Sequence, residues 1–381
     1  MFILFFIVVL AIYIALNFYL GKKIYKFLLY LFPGVNKKIF WIVYALVSLP
    51  MVLSFVISNT SDSVIFVIFR FISNYSMGLY FYLLLFFVLI DLGLLIYKLL
   101  VKLKVIKKPL SARSIFTSSC TALVIAVILF SYSAINALTI YEITYDINID
   151  KTSPIKNLKI ALISDLHLGY IHGEGYVKKI VDIINSNEPD IVVIAGDIFD
   201  GNYYALDNPD QAAKHFSKLK SKYGTFACLG NHDSGGTIDK MIEFLEKSQI
   251  KLLNDEYVSN DDFTLIGRRD STPIGTTTDP RELISYEDID KNLPIIVIDH
   301  KPSAYEEYPD FVDLILSGHT HRGQMFPLNY VTALVHIKDY GYFRQTDKSP
   351  QMIVSSGVGT WGPPLRSGSN NEIVYVEIEF R

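Results

Sequence analysis

The stretch LKIALISDLHLG (158–169) decides how the second half of this chain folds. It begins with a short apolar run, LKIALI, which is typical of a buried β-strand, and the polar cluster SDLH follows without a break. Strand ends of this kind are where α/β folds place their binding and catalytic groups. The stretch therefore predicts a strand that carries Asp165 and His167 to a site.

The same pattern, a short apolar run followed by polar residues, repeats through the rest of the sequence. Helical or loop stretches separate the runs, which is typical of a layered α/β domain. We therefore expect fold class α/β over residues 157–381. Besides the first strand, the predicted strands are DIVVIAG (190–196), TFACLGN (225–231), FTLIGR (263–268), PIIVIDH (294–300), DLILSGH (313–319), MIVSSG (352–357) and IVYVEIEF (373–380).

Five of these strands end in clusters of Asp, Asn or His. A single Asp-x-His or Gly-Asp pair is most often an ordinary surface turn. Five such clusters are expected to converge on one sheet edge, where glycines allow the backbone to turn tightly. The clusters are Asp165 with His167, Gly196-Asp197, GNHD (230–233), Asp299-His300 and GHTH (318–321).

The chemistry of these side chains indicates metal binding. Carboxylate, amide and imidazole donors without thiolate suit Mn, Fe, Zn or Ni, and they do not suit a structural cysteine-type zinc site. About seven donors exceed what one ion needs when some positions stay open for water and substrate. Two divalent ions that share one bridging carboxylate fit this number better.

Composition divides the chain into two halves. Of its 381 residues, 51% are hydrophobic and 19% charged, and the mean hydropathy is +0.31. Residues 1–140 hold 12 Lys or Arg and 2 Asp or Glu, whereas the rest holds 23 and 36. An acidic half without a nucleic-acid-reading motif argues against a nucleic-acid partner. The two cysteines, Cys120 and Cys228, cannot make a disulfide framework and are expected to be small buried residues.

Residues 1–140 contain four apolar stretches, each close to or above the roughly 18 to 20 residues that span a bilayer. The predicted spans are 2–20, 40–58, 77–97 and 115–140, and a linker is predicted at 141–156. A shorter run, Val64–Ile72, is interrupted by Arg70 and predicts an interfacial or re-entrant segment. The chain is therefore expected to be an integral, multi-pass membrane protein.

Lysines cluster in the loops after the first and third spans. Because basic loops stay in the cytoplasm, the domain after the fourth span is expected to be extracytoplasmic. The first span has no basic segment before it and no small-residue cleavage site after it, which favours an anchor over a signal peptide.

Asp91 lies inside the third span, where a carboxylate is costly and needs a partner. It could mark a transport bundle to which the soluble domain is an accessory. The other interpretation is a bundle-facing residue satisfied by Ser or Tyr hydroxyls. One carboxylate is too little to favour transport.

The motifs DLHLG (165–169), GDIFD (196–200), GNHD (230–233), a strand-end His300 and GHTH (318–321) resemble, in order and spacing, the calcineurin-like metallophosphoesterases. The tail GVGTWGPPLR (357–366) is similar to the bacterial membrane-associated branch of that family, which includes UDP-2,3-diacylglucosamine pyrophosphohydrolase-like enzymes. The resemblance implies a four-layer α/β/β/α sandwich behind the membrane region. It also implies a metal-dependent phosphoesterase.

Residue by residue, the resemblance also implies roles for the strand-end side chains. His232 would protonate the leaving oxygen, and Asp200 would orient it. Asp197 would bridge the two ions. The remaining ligands would be Asp165, His167 and His321 for the first ion, and Asn231, His300 and His319 for the second.

Arg322, Arg366 and His172 are candidate substrate contacts, although solvated loop positions or a rigid turn are alternatives. The expected partners are the bilayer and a phosphorylated small molecule or lipid, with no obligate protein partner. A phosphate ester, diester or pyrophosphate bond would be cleaved. The alternative function is a catalytically silent, membrane-tethered sensor or scaffold with the same fold.

Overall fold

Apolar runs in the first 136 residues fold into long helices. The computed structural model describes residues 2–57, 64–274 and 285–381, and these divide into two units, Met1–Ala134 and Ile135–Arg381. The helices of this region are α1 (Phe2–Leu31), α2 (Lys37–Ile57), α3 (Val64–Lys102) and α4 (Ala112–Asn136), which ends just inside the second unit.

Three helices of the described residues are long and apolar enough to cross a membrane: Ile7–Leu31, Val67–Lys102 and Ala112–Asn136. They correspond to the predicted spans 2–20, 77–97 and 115–140, and they support membrane association. The predicted span 40–58 falls on α2, but its end lies outside the described residues. A fourth span therefore stays a prediction.

The prediction of a separate interfacial segment at Val64–Ile72 is wrong. These residues are the first turns of α3, which runs for 39 residues without a break. At 1.5 Å per residue the helix is about 58 Å long, far more than the roughly 30 Å of a hydrocarbon core. Arg70 interrupts the hydropathy pattern, but it does not interrupt backbone hydrogen bonds that close within the helix.

Asp91 has two partners inside the helical unit. The Tyr19 hydroxyl donates a hydrogen bond to Asp91 Oδ2 at 2.8 Å, and Lys23 Nζ donates to Oδ1. The expectation of a carboxylate satisfied by a tyrosine hydroxyl is confirmed, with a lysine added. A paired carboxylate needs no transport function to explain it.

The second unit contains two six-stranded sheets. Its helices are α5 (Glu174–Ser186), α6 (Pro209–Phe216), α7 (Ile238–Lys247) and α8 (Leu328–Val335). Its strands are β1 (Ile140–Ile149), β2 (Asn157–Ile163), β3 (Ile191–Ala195), β4 (Thr225–Cys228), β5 (Ile250–Leu252), β6 (Glu256–Ser259), β7 (Thr264–Gly267), β8 (Ile295–Ile298), β9 (Leu314–Ser317), β10 (Gly341–Phe343), β11 (Gln351–Val354) and β12 (Asn371–Phe380).

Strand order places the predicted strands in the middle of each sheet. The first sheet has the order β1-β12-β2-β3-β4-β5 and the second β10-β11-β9-β8-β7-β6. β2, β3 and β4 are parallel, with Ile160 opposite Ile191 and Val192 opposite Thr225. β7, β8 and β9 are parallel in the second sheet. Their carboxyl ends therefore share an edge within each sheet.

The two sheets pack face to face through aliphatic side chains. Leu162 and Val193 of the first sheet belong to the same buried cluster as Ile298 and Leu316 of the second. On the outer face of the first sheet, α5, α6 and α7 contribute residues such as Phe216 to a second buried cluster. Burial from both faces explains why these strands are continuous apolar runs.

The outer face of the second sheet differs from the predicted helical layer. Its buried cluster includes Tyr305, which belongs to the 3-10 helix Pro302–Glu307. Within the described residues no α-helix contributes to that cluster. Pro302 and Pro309 break the short connection between β8 and β9, which leaves room only for a tighter turn. Among the described residues, three of the four expected α/β/β/α layers are therefore present, and the helical layer on the second sheet is not.

Residues 141–156 were predicted to be a linker, but most of them form β1. All ten residues of β1 pair in parallel with β12, from Ile140 with Asn371 to Ile149 with Phe380. Only Ile147 and Ile149 of this edge strand are buried, so its apolar signal is weak. The sequence also missed the short strands β5, β6 and β10.

Candidate metal centre

Each of the five polar clusters follows a strand, as predicted, but the strands belong to two sheets and not to the single sheet edge that the sequence predicted. Asp165 and His167 follow β2, Asp197 follows β3, and Asn231 follows β4 in the first sheet. His300 and the GHTH segment follow β8 and β9 in the second sheet. Because the sheets pack face to face, their loops bring carboxylates and imidazoles together.

The backbone of these loops is strained at the candidate ligands. Asp165, His167, Asp197, His319 and His321 all have positive φ, between 47° and 74°. This region of backbone space is uncommon for residues other than glycine, and such strain concentrates at functional sites. The surrounding fold therefore keeps these five residues in a backbone conformation that they would rarely adopt on their own.

Two glycines allow the loops to approach the carboxylates. A Cβ on Gly230 would lie 2.2 Å from Asp197 Oδ1, and one on Gly318 would lie 2.4 Å from Asp165 Oδ2. No side chain fits in such a space. The glycines of GNHD and GHTH are therefore required by close packing against the two carboxylates.

Asp165, His167 and His321 form the first group of donors. His321 Nε2 lies 3.0 Å from His167 Nε2 and 3.4 Å from Asp165 Oδ1. The backbone N–H of His319 donates to both carboxylate oxygens of Asp165 at 3.1 Å, which fixes that carboxylate. Three buried donor atoms therefore point at one small volume.

Asp197, His300 and His319 form the second group. His300 Nε2 lies 3.1 Å from Asp197 Oδ2 and 3.2 Å from His319 Nδ1. His300 Nδ1 donates to the carbonyl of Ala195 at 2.8 Å, which turns Nε2 toward the group. The Asn231 side-chain oxygen is buried and has no hydrogen-bond partner among the residues that the structure describes.

The carboxylate of Asp197 lies between the two groups. Its Oδ2 is 3.1 Å from His300 Nε2 and 3.8 Å from His167 Nε2, and its Oδ1 accepts a hydrogen bond from the His232 backbone at 2.8 Å. The side chain is almost fully buried. One carboxylate is thus placed to serve both groups at once.

Burial and the neighbouring carboxylates shift the pKa values of the histidines in the two groups in opposite directions. Burial alone would lower the pKa of His300, but the Asp197 carboxylate raises it to about 10. The interaction with His300 in turn lowers the pKa of Asp197, although burial acts in the opposite direction. Burial lowers the pKa of His319 to about 3 and that of His321 well below its ordinary value. The neutral imidazoles of His319 and His321, the carboxylates beside them and the unpartnered buried amide oxygen of Asn231 are ligands that suit divalent cations.

His232 lies at the open side of the two groups. Its ring centroid is 5.0 Å from that of His167 and 5.9 Å from that of Trp361, which is largely exposed. Its Nδ1 is 4.0 Å from Asp200 Oδ1, beyond hydrogen-bond distance, whereas His167 Nδ1 is 3.4 Å from the same oxygen. Asp200 therefore lies between two imidazoles and is closer to the ligand candidate.

Asp233 is a buried carboxylate to which the sequence assigned no role. It accepts hydrogen bonds from the backbone N–H groups of Ile198, Phe199 and Gly230 at 2.8–3.0 Å. Burial, followed by the charge of Asp197, raises the pKa of Asp233 to about 7. The carboxylate oxygens of Asp233 thereby link the GNHD loop to the GDIFD loop. In the sequence, the only signal for Asp233 was its position as the last residue of the GNHD motif.

Arg366 was predicted to contact substrate, but the structure places it behind the site. Its side chain is 0% exposed, and Nη1 donates to the carbonyl of His321 at 3.0 Å and to Ser369 Oγ at 2.6 Å. Nε donates to Asn371 Oδ1 at 2.7 Å, and Nη2 donates to the carbonyl of Gly359. This placement supports a role for Arg366 in positioning His321 and not in contacting substrate.

The other two candidate substrate contacts also have protein partners. His172 Nε2 accepts a hydrogen bond from the Thr360 backbone at 3.0 Å, and burial lowers the pKa of His172 to about 3. Arg322 stacks its guanidinium 4.2 Å from the centre of the Tyr340 ring and stays partly exposed. Of the three, Arg322 has the placement most open to a ligand.

A second buried carboxylate, Glu372, supports the loop of the GVGTWGPPLR tail. The backbone N–H of Ser356 donates to Glu372 Oε1 at 2.9 Å, and the Tyr340 hydroxyl donates to Oε2 at 3.0 Å. Burial raises the pKa of Glu372 above its ordinary value. This carboxylate holds the ring on which Arg322 stacks.

Comparisons with known proteins show which family this chain resembles. The sequence model of the family described as Calcineurin-like phosphoesterase matches residues 158–323. An uncharacterized metallophosphoesterase of Aquifex aeolicus is 33% identical over 259 residues, which cover 67% of this chain and 98% of that protein.

Two further relatives differ in length and description. The transmembrane protein with metallophosphoesterase domain of Danio rerio is 28% identical, over 69% of this chain and 63% of that protein. The UDP-2,3-diacylglucosamine pyrophosphatase LpxG of Chlamydia trachomatis is 24% identical, over 55% of this chain and 80% of that protein.

Proposed function

Because this chain belongs to the calcineurin-like phosphoesterase family and is therefore a hydrolase of phosphate esters, we propose that it works at a membrane with two divalent ions. Its substrate is a phosphate ester, diester or pyrophosphate that is linked to a lipid or to the cell envelope. The observation that carries the proposal is the position of Asp197 between two groups of donors.

The proposed ligands follow the two groups. Asp165, His167 and His321 hold one ion, Asn231, His300 and His319 hold the other, and Asp197 contacts both. Bound divalent ions supply activation of water and neutralisation of phosphate oxygens, and Mn, Fe, Zn or Ni suits these donors. The strained loops and the hydrogen bonds to Asp165 keep the donors in place before any ion binds.

His232 is proposed to donate the proton that the leaving oxygen needs. Asp197 accepts the His232 backbone N–H, which fixes the backbone of this residue next to the proposed ligands. His232 also forms a third group of possible donors with His167 and Asp200. Its side chain is 17% exposed, so a substrate can reach it. Asp200 lies near enough to hold Nδ1–H once the ring shifts, which leaves Nε2–H for the leaving group.

A lipid-linked substrate is supported by the membrane helices and by one relative. The Chlamydia relative is named for a pyrophosphatase that acts on UDP-2,3-diacylglucosamine, a lipid-linked nucleotide. Three helices of the described residues are long and apolar enough to cross a bilayer, which supports a domain that works at its surface. Lysines in the loops after the first and third predicted spans support an extracytoplasmic domain.

The test uses the full chain, purified in detergent, with p-nitrophenyl phosphate, bis-p-nitrophenyl phosphate and UDP-2,3-diacylglucosamine as substrates. Each is assayed with Mn, Fe, Zn or Ni and with a chelator, and bound metal is counted. Asp197→Asn is expected to lose hydrolysis and both ions. The exposed Asp182→Asn on α5 is the control and is expected to behave as the parent chain.

Each part of the proposal has its own contrary result. Hydrolysis that survives the chelator or Asp197→Asn contradicts the two-metal site. Hydrolysis of the nitrophenyl esters but of no lipid-linked substrate contradicts only the substrate class. Tight metal binding without turnover of any ester favours a catalytically silent sensor.

A further inference from the structure

The helix α8 carries an exposed apolar surface close to the candidate metal centre. No residue of α8 is buried, and its sequence, LNYVTALV, contains no charged residue. Leu334 is 86% exposed, Val335 68% and Tyr330 62%, and Val331 is also exposed. Soluble surfaces rarely present such side chains together, and where they do, a binding partner is expected.

The exposed residues lie on one side of the helix. Tyr330 and Leu334 are four residues apart, as are Val331 and Val335, so the two pairs form adjacent rows. On the other side, Thr332 Oγ1 donates to Asp339 Oδ2 at 2.8 Å. The polar side is therefore attached to the domain, and within residues 2–57, 64–274 and 285–381 no element covers the apolar side.

Asn136, at the start of the second unit, contacts the loop beside α8. Asn136 is the last residue of the apolar helix Ala112–Asn136, and it belongs to the second unit. Its Nδ2 donates to the carbonyl of Arg366 at 3.1 Å and to Asn370 Oδ1 at 2.9 Å. The chain therefore enters the second unit next to the 366–370 loop.

The same loop contacts the segment that opens α8. Ser367 Oγ accepts a hydrogen bond from the Phe326 backbone at 2.9 Å, and a Cβ on Gly368 would lie 3.2 Å from Asn329 Cβ. One short loop thus touches both Asn136 and the start of α8. Phe326 and Ile337, on either side of α8, are exposed as well.

From these contacts we propose that the apolar side of α8 lies in the interfacial region of the same bilayer that the N-terminal helices cross. An uncharged helix with aliphatic residues and a tyrosine is suited to the boundary between headgroups and acyl chains. A bilayer is the occupant that must be near, because Asn136 ends a membrane helix one loop away. This inference goes beyond the proposed function and does not depend on turnover.

Membrane contact of α8 also determines the depth of the candidate metal centre. The carbonyl of Asp339 accepts a hydrogen bond from Thr320 Oγ1 at 2.6 Å, and its carboxylate binds Thr332 of α8. Thr320 lies between His319 and His321. The helix and the GHTH loop are thus joined by one residue, so a helix held at the headgroups holds His319 and His321 near them.

The experiment measures how deep single side chains lie in a membrane. Leu334→Cys and, separately, Tyr330→Cys are introduced into the full chain, spin-labelled and reconstituted in phospholipid vesicles. Collision rates with apolar oxygen and with a water-soluble nickel chelate are measured by electron paramagnetic resonance. The unsubstituted chain gives the background from Cys120 and Cys228.

Lys220→Cys is the matched control, because Lys220 is exposed and precedes the amino end of β4, opposite the edge that carries the site. The ratio of oxygen to chelate collisions is expected to be several-fold higher at residues 334 and 330 than at residue 220. Equal ratios would overturn the proposal. Labels that are immobile and shielded from both reagents would show a protein partner, and they would overturn it too.

Discussion

Arg366 Nη1 donates a hydrogen bond to the backbone carbonyl of His321 at 3.0 Å, and its Nη2 lies 3.2 Å from Nδ1 of the same residue. His321 has a φ of 49°, a conformation that needs support from its surroundings. A fully buried guanidinium that touches both the backbone and the ring supplies that support. Arg366 is thus a positioning residue for one candidate ligand.

Arg366→Lys is expected to weaken metal binding at the group that contains His321, by roughly 10- to 100-fold, as changes to the partners of metal ligands typically do. A lysine keeps the charge but cannot reproduce the planar set of donors. The measurement is a metal titration of the full chain. The exposed Arg344→Lys is the control, and an unchanged metal affinity in Arg366→Lys would contradict the role.

His232→Ala is expected to keep both ions and to lower kcat by roughly 100- to 10,000-fold, the usual contribution of a general acid. The loss should be larger for an alkyl phosphate than for p-nitrophenyl phosphate, because nitrophenolate leaves without a proton. Metal analysis and kcat for the two esters check this. An equal loss of kcat for both esters would show that His232 does not donate the proton.

Gly318→Ala is expected to reduce both activity and metal content, because its Cβ would lie 2.4 Å from Asp165 Oδ2 and 2.5 Å from Ser164 Oγ. Overpacking of this kind costs about 1–3 kcal/mol. Gly175→Ala in α5 is the matched control, since nothing lies within 4 Å of its added Cβ. It is expected to be neutral or to add roughly 0.4–1 kcal/mol. A Gly318→Ala protein with full metal content would argue against the packing explanation.

Glu372→Gln is expected to change how stability depends on pH. The folded protein raises the pKa of Glu372 above 4.5, so it binds that proton more tightly than the unfolded chain does. The parent chain therefore loses stability relative to Glu372→Gln as pH rises from below 4.5 through the raised pKa. The measurement is the Tm difference across this range, with the exposed Glu379→Gln as control. A Tm difference that is independent of pH would refute the expectation.

The sequence was informative where a signal is local. Each central strand is a short apolar run, and each candidate ligand follows one of these runs directly, so position along the chain predicts position in the site. The eight strands and the convergence of the clusters follow from this rule. The membrane helices are equally local, because apolar length alone marks them.

The sequence was less informative where distant partners decide the structure. β1 looks like a linker because its pairing strand lies more than 200 residues away. From the sequence, Arg366 was a candidate substrate contact or part of a rigid turn, but its acceptors include the carbonyl of His321, 45 residues earlier. Residues 64–72 look too short to span, and only the continuous helix shows that they extend the next segment.

The position of β12 has a consequence for biosynthesis. This last strand lies between β1 and β2, parallel to the first and antiparallel to the second. A ribosome therefore releases β1 and β2 long before the strand that joins them exists. Until residue 371 has been translated, the two strands have open edges, and a chain that stops earlier cannot close its first sheet.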